Sequence, residues 1–223
     1  MTTIWTGVRE RVLALRTAPR MSEVFGAVWL DDHGHRFELL PPLTRDELDE
    51  LEHELGTRLP DEYRAFLREV AAGGAGPDYG IYPLRPGAES NAARAKNLAV
   101  PFRPQEVGAL FDEHQYNEPS GDCFTSAEEF SAAYRAWDAR DDELREELFT
   151  GTLYLSSQGC AYYTVLAVTG PEAGTVWDDV QAAGEGVAPK RHNGAERMTF
   201  AQWYLDWLAY AERTAWKEPG PAA

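Results

Sequence analysis

The chain has 223 residues, 43% of them hydrophobic and seven of them tryptophan, which is enough for a real core and excludes disorder over most of its length. Its 21 basic residues stand against 37 acidic ones, a formal net charge of −16 that makes nucleic acid and anionic membrane poor partners. No stretch approaches the roughly 20 consecutive apolar residues that span a bilayer, and Cys123 and Cys160 form neither a CxxC motif nor a disulfide framework.

The leading segment, MTTIWTGVRERVLALR, lacks a basic n-region, a continuous apolar stretch and a small-residue cleavage site. A cytoplasmic, reduced protein is therefore expected, with both thiols buried as small apolar groups. Ile4–Arg16 reads as a helix with Val8, Val12 and Leu15 on one side, ended by Pro19. Val24–Trp29 and Arg36–Leu39 are apolar and extended in character. The Asp31-Asp32-His33-Gly34 cluster between them predicts a hairpin, because such residues tolerate positive φ or bond their own backbone.

After Pro41-Pro42, Thr44 and Glu47 form a capping-box pattern ahead of Leu48, Leu51 and Leu55, and Gly56 supplies a stop. A second helix opens at Pro60, where a missing N–H costs least, and buries Tyr63, Phe66, Leu67 and Val70. The pair is no DNA reader, since Asp46, Glu47, Asp49, Glu50, Glu52 and Glu54 would repel phosphate. Gly73-Gly74 then closes the second helix, and the turn GAGPDYG leads into an apolar strand at Ile81–Leu84. Phosphate-binding loops run the other way, with glycines opening a helix so that its positive end meets the anion. Gly76 and Gly80 are accordingly read as backbone devices, at least one with positive φ.

Gly87–Pro119 has three prolines after residue 100 and few periodic apolar residues, so it reads as a long irregular loop. Ser126 and Glu129 suggest another capped helix, with Phe130, Tyr134 and Trp137 as its stripe, continuing through the acidic Asp138–Phe149 as a solvated face. From Gly151 the pattern turns to strands at 152–156, 162–168 and 175–177. Short turns at Ser157-Gln158-Gly159 and Gly170–Gly174 join them, which requires an antiparallel meander. A final helix starts near Thr199, capped with Gln202, and carries Phe200, Trp203, Trp207, Leu208 and Ala211. The expected architecture is α+β: one domain over residues 1–217, with an antiparallel or mixed sheet flanked by helices. Residues 1–20 form its N-terminal helical extension, and 218–223 a flexible tail.

LPxxYxxFLxxV followed by GGxGPxYGxYPL resembles the signature of the SUKH superfamily in its Smi/Knr branch. The resemblance extends upstream over LLPPLTRDELDELEHELGTRL and downstream over GTLYLSSQGCAYYTVLAVTGPEAGTVWDD, roughly half the chain in total. It implies a SUKH-like fold and a binding module with no catalytic residue. Members are mostly bacterial immunity proteins that neutralise polymorphic toxins, often nucleases, while a fungal branch regulates cell-wall synthesis and signalling. It also implies that Trp177 anchors the core and that Asp178 and Asp179 reach the surface beyond it.

Other chemistry finds little support. His33 and His35 beside Asp31 and Asp32 lack further ligands in a recognised metal spacing. His53, His114 and His192 are isolated. There is no GxSxG motif, and no helix follows Ser156–Cys160 to make a nucleophile elbow. No cofactor or metal is expected. The reading is a non-catalytic protein that blocks a basic partner, a cognate toxin, by stoichiometric binding, with no nucleic acid or membrane involved. Its candidate contact residues are Tyr79, Tyr82, Asp138, Asp141, Asp142, Glu143, Asp178 and Asp179. A regulatory interaction module is the alternative, and an uncharacterised enzyme a second one.

Overall fold

A computed structural model of the chain describes residues 3–29, 34–191 and 194–217. Two strong caps set its most regular helices. Thr44 Oγ1 accepts from the Glu47 amide while Glu47 accepts from the Thr44 amide, opening α2 (Arg45–Leu55), and Gly56 closes it with φ 66°. Thr199 and Gln202 make the same reciprocal pair ahead of α7 (Phe200–Ala215). Between them lie α3 (Asp61–Glu69), α4 (Ser90–Arg94), α5 (Pro104–Tyr116) and α6 (Ala127–Glu147), and α1 (Val8–Ala14) precedes them all.

The sheet is an antiparallel meander in chain order: β1 (Ala95–Lys96), β2 (Thr152–Gly159), β3 (Tyr162–Ala167), β4 (Val176–Asp179) and β5 (Val187–Pro189). Register pairs Leu153 with Leu166 and Val165 with Trp177. Alternation then sends Leu153, Leu155, Leu166 and Val176 to one face, and Val165, Ala167 and Trp177 to the other. The first face packs on α1, α2, α3 and α7 through a ring-rich core in which Trp5, Tyr63, Phe66, Phe200 and Tyr204 touch mostly edge-on or tilted. The second packs on the roots of α5 and α6 through Phe102, Val107, Phe111, Leu144 and Leu148. Trp177 is buried against Phe102 at 5.2 Å, as a core anchor should be.

Several expectations need correction. Residues 24–29 and 36–39 do not form a hairpin: Arg36 and Phe37 have φ of 45° and 57°, and the segment folds as turns that bury Ala27 and Phe37. Positive φ at two successive residues is incompatible with a strand. Asp31, Asp32 and His33 of that predicted turn lie outside the described residues, as do His192 and the tail from Glu218. Ile81 makes one bridge to Gly74 rather than opening a strand. The supposed loop 87–119 holds α4, β1 and α5, with Pro104 in the first turn of α5. The β2–β3 turn falls at Cys160-Ala161, both with positive φ as a two-residue hairpin loop requires, so Cys160 is exposed rather than buried. Cys123 is exposed as well. No helix among the described residues is long and apolar enough to cross a membrane.

Candidate partner-binding surface

The glycine corner is built by backbone proximity. Gly74, with φ 111°, bridges Leu39 on one side and Ile81 on the other, and a Cβ there would sit 2.4 Å from the Glu38 carbonyl oxygen. Gly80, with φ 98°, would push a Cβ to 2.7 Å from the Gly74 carbonyl oxygen. So constrained, the chain runs along the part of β2 that β1 leaves unpaired. The Tyr79 amide donates to the Ser157 carbonyl (3.1 Å) and the Tyr82 amide to the Leu155 carbonyl (2.7 Å). The corner therefore covers a sheet edge that would otherwise present open backbone groups. Asp78 pins it from beneath: its carboxylate accepts from Thr164 Oγ1 at 2.8 Å, and burial raises its pKa.

Tyr79 faces outward between Phe25 and Trp29, at centroid distances of 5.0 and 4.9 Å, and both neighbours are more than half exposed (53% and 54%). Beside them is an apolar groove of about 660 Å³ lined by Trp29, His35, Leu39, Tyr79, Ile81 and Tyr82 among others. His35 is buried, its Nδ1 accepts from the Phe37 amide at 3.1 Å, and its Nε2 has no partner among the described residues. Burial pushes its pKa down to about 4.

Around the sheet end from the corner, Arg94 stacks over the Tyr82 ring at 4.4 Å and Lys96 stands 5.8 Å from the Tyr154 ring. Tyr163 meets Tyr154 edge-on at 5.4 Å. Asp179, far from reaching the surface, is buried: it accepts from the Tyr154 hydroxyl (2.8 Å) and the Gln181 amide (3.1 Å), and burial raises its pKa. Asp178 is half-buried and engaged by Lys190 and Gln158. Both positions thus hold internal polar networks.

The acidic half of α6 separates into two kinds of carboxylate. Asp141 is buried, accepting from Gln115 on α5 and from Arg145 one turn on, so it clamps the two helices and does not face solvent. Glu143 and Glu147 share Arg140 at 2.8 and 3.2 Å. Asp138, Asp142 and Glu146 are exposed and form no ion pair among the described residues.

Of the candidate contacts, then, Tyr79, Tyr82, Asp138, Asp142 and Glu143 are accessible to differing degrees, while Asp141 and Asp179 are not. The structure joins Tyr79 and Tyr82 in one groove and leaves the α6 carboxylates on a separate element. Sequence reasoning missed Phe25, Trp29, Arg94 and Lys96, whose partners lie 12 to 58 residues away along the chain. Among the described residues no group of three or more His, Cys, Asp or Glu side chains is arranged to hold a metal ion.

No curated protein and no solved structure matches the chain. The SMI1 / KNR4 family (SUKH-1) matches it over residues 42–186, a span that contains α2 through β4, the glycine corner and all of α6. With well over half of its length matched in this way, the chain belongs to the SMI1 / KNR4 family (SUKH-1).

Proposed function

We propose that this protein is a cytoplasmic, non-catalytic binding protein of the immunity type, which neutralises a basic toxin, of the nuclease class, by occluding it in a stoichiometric complex. The observation that carries this reading is the placement of charge on α6. Carboxylates there crowd the C-terminal half, with Glu146 and Glu147 in the last turn, where the helix dipole favours cations. Glu147 is held by Arg140, but Glu146 is exposed and forms no ion pair among the described residues, so helix stability does not call for an acid there, whereas attraction of a basic partner does. A surface of net −16 would steer such a partner and compete with the phosphates it normally binds. Family membership supports a protein-binding role over catalysis.

The test is to mix the purified chain with the product of the gene that neighbours its own. A one-to-one complex that abolishes the partner's activity is expected. Turnover of a substrate by the chain alone, or a neighbour that is neither basic nor bound, would overturn the reading.

A further inference from the structure

The helices α5 and α6 continue well past the sheet they pack on. In α6 the buried residues are Asp141 and Leu144, so the first two thirds of a 21-residue helix, Ala127–Arg140, contribute nothing to either core. In α5 nothing beyond Phe111 is buried. Yet this free end carries an aromatic ladder. Phe124, Phe130, Tyr134 and Trp137 follow one another at centroid distances of 5.7, 5.8 and 5.5 Å, and Trp137 stacks flat on His114 of α5 at 4.9 Å. Reciprocal bonds lock that last pair: Trp137 Nε1 donates to the His114 carbonyl, and His114 Nε2 lies 3.0 Å from the Trp137 carbonyl. The arm is thus rigid at its base while Leu110, Tyr116 and Tyr134 remain exposed at 45%, 90% and 37%.

A helix stripe of this kind ordinarily faces a core, and an exposed apolar patch rimmed by charge marks an interaction site. The rim identifies the occupant. Residues 112–138 hold seven carboxylates (Asp112, Glu113, Glu118, Asp122, Glu128, Glu129 and Asp138) against one guanidinium, Arg135. That is −6 in about an eighth of the chain, more than a third of the total −16. A second copy of the same arm would be repelled, and so would nucleic acid.

We infer that the α5–α6 arm is the principal docking element, and that its occupant is a basic segment of a partner protein. The segment's Lys and Arg side chains meet the acidic rim while an apolar or aromatic residue packs on the Phe130–Tyr134 rungs. This rests on the binding reading above and specifies where binding occurs, placing the anchor on the arm rather than in the Tyr79 groove.

A random dodecapeptide library displayed on phage and selected against the full chain tests it. The expected winners combine Lys or Arg with an aromatic or large aliphatic residue. They should lose at least about tenfold in affinity, roughly 1.4 kcal/mol, for a Phe130→Ala/Tyr134→Ala double variant, and keep it for Tyr79→Ala. Thermal melting accompanies each variant. Should the double variant fail to fold, Asp112→Lys/Glu128→Lys, both at exposed positions outside the ladder, serves instead and should give the same loss. Basic peptides sensitive to Tyr79→Ala and indifferent to the arm variants would overturn the arm as anchor while leaving the binding reading standing. Winners with no basic bias, or no enrichment at all, would overturn both.

Discussion

The Tyr204 hydroxyl donates to the Ala75 carbonyl at 2.9 Å, and both residues are fully buried. The bond ties α7, which lies beyond the family-matched span, to the glycine corner inside it. Ala75 has little other means of satisfying its carbonyl once Tyr204 loses the hydroxyl. Tyr204→Phe keeps the ring contacts with Phe66 and Trp207 and leaves that carbonyl orphaned, which costs about 1–3 kcal/mol. Chemical denaturation should show a lower midpoint at unchanged slope.

The corner itself makes the second prediction. Gly80 combines φ 98° with a carbonyl oxygen 2.7 Å from where a Cβ would stand, so Gly80→Val meets both strain and collision. A loss of about 2 kcal/mol or more is expected, and any loss of binding should track the unfolded fraction. A Gly80→Val protein that melts like the parent yet no longer binds would show that the corner contacts the partner directly. Gly76 differs: its φ is unremarkable and a Cβ there would meet the Ile81 side chain at 2.6 Å, a packing limit rather than a conformational one.

His35 gives the chain a pH-dependent stability. Its pKa falls from an ordinary value near 6.5 to about 4 in the folded state. A base whose folded pKa is depressed binds fewer protons when folded, so acidification favours unfolding. The effect starts as pH drops below about 6.5, grows down to about pH 4 and then levels off, reaching at most about 3 kcal/mol. Asp78 and Asp179 act in the opposite sense: burial raises their folded pKa values, so stability they contribute in acid is lost as pH rises through those values. Comparing His35→Gln with the parent separates the terms. Melting temperatures from pH 8 down to 4 should converge with acidification, and parallel curves would mean that His35 does not titrate in this range.

Much of this fold is legible in local residue chemistry. The Thr44–Glu47 and Thr199–Gln202 boxes are short-range bonds that a sequence displays directly, and the meander follows from turns too short for a crossover. What escapes is specified from a distance. β1 has two residues and β5 three, so neither has a period to detect, and each exists because a longer neighbour pairs with it. α5 shows only Val107 and Phe111 as a stripe because little of it is buried. Asp141 and Asp179 looked like surface acids in an acidic chain. The Asp141–Arg145 pair one helical turn apart is local, but the burial of the two acids also depends on Gln115 and Tyr154, two groups that no local pattern connects to them.

The acidic face of α6 makes the last prediction, because its two roles pull in opposite directions. Glu146 is exposed, lies in the last turn and forms no ion pair among the described residues; Asp142, one turn earlier, is exposed and likewise unpaired. Lysine at Glu146 would complement the helix dipole, and at Asp142 it stands outside the last turn, so Asp142→Lys/Glu146→Lys should leave thermal stability unchanged or slightly raised. Binding should move the other way. Exposed charges farther apart than about 10 Å are screened near 0.1 M salt, so long-range steering acts on association and not on dissociation. Stopped-flow mixing with the basic partner should give an association rate that falls steeply with ionic strength in the parent. The two reversals take the net charge from −16 to −12 and leave the arm's carboxylates in place. In the variant the rate should therefore be several-fold lower at low salt and fall less steeply across the series, with the dissociation rate little changed. A variant that binds as fast as the parent at low salt would remove electrostatic steering by α6 from the account, and a parent with flat salt dependence would remove it for the whole surface.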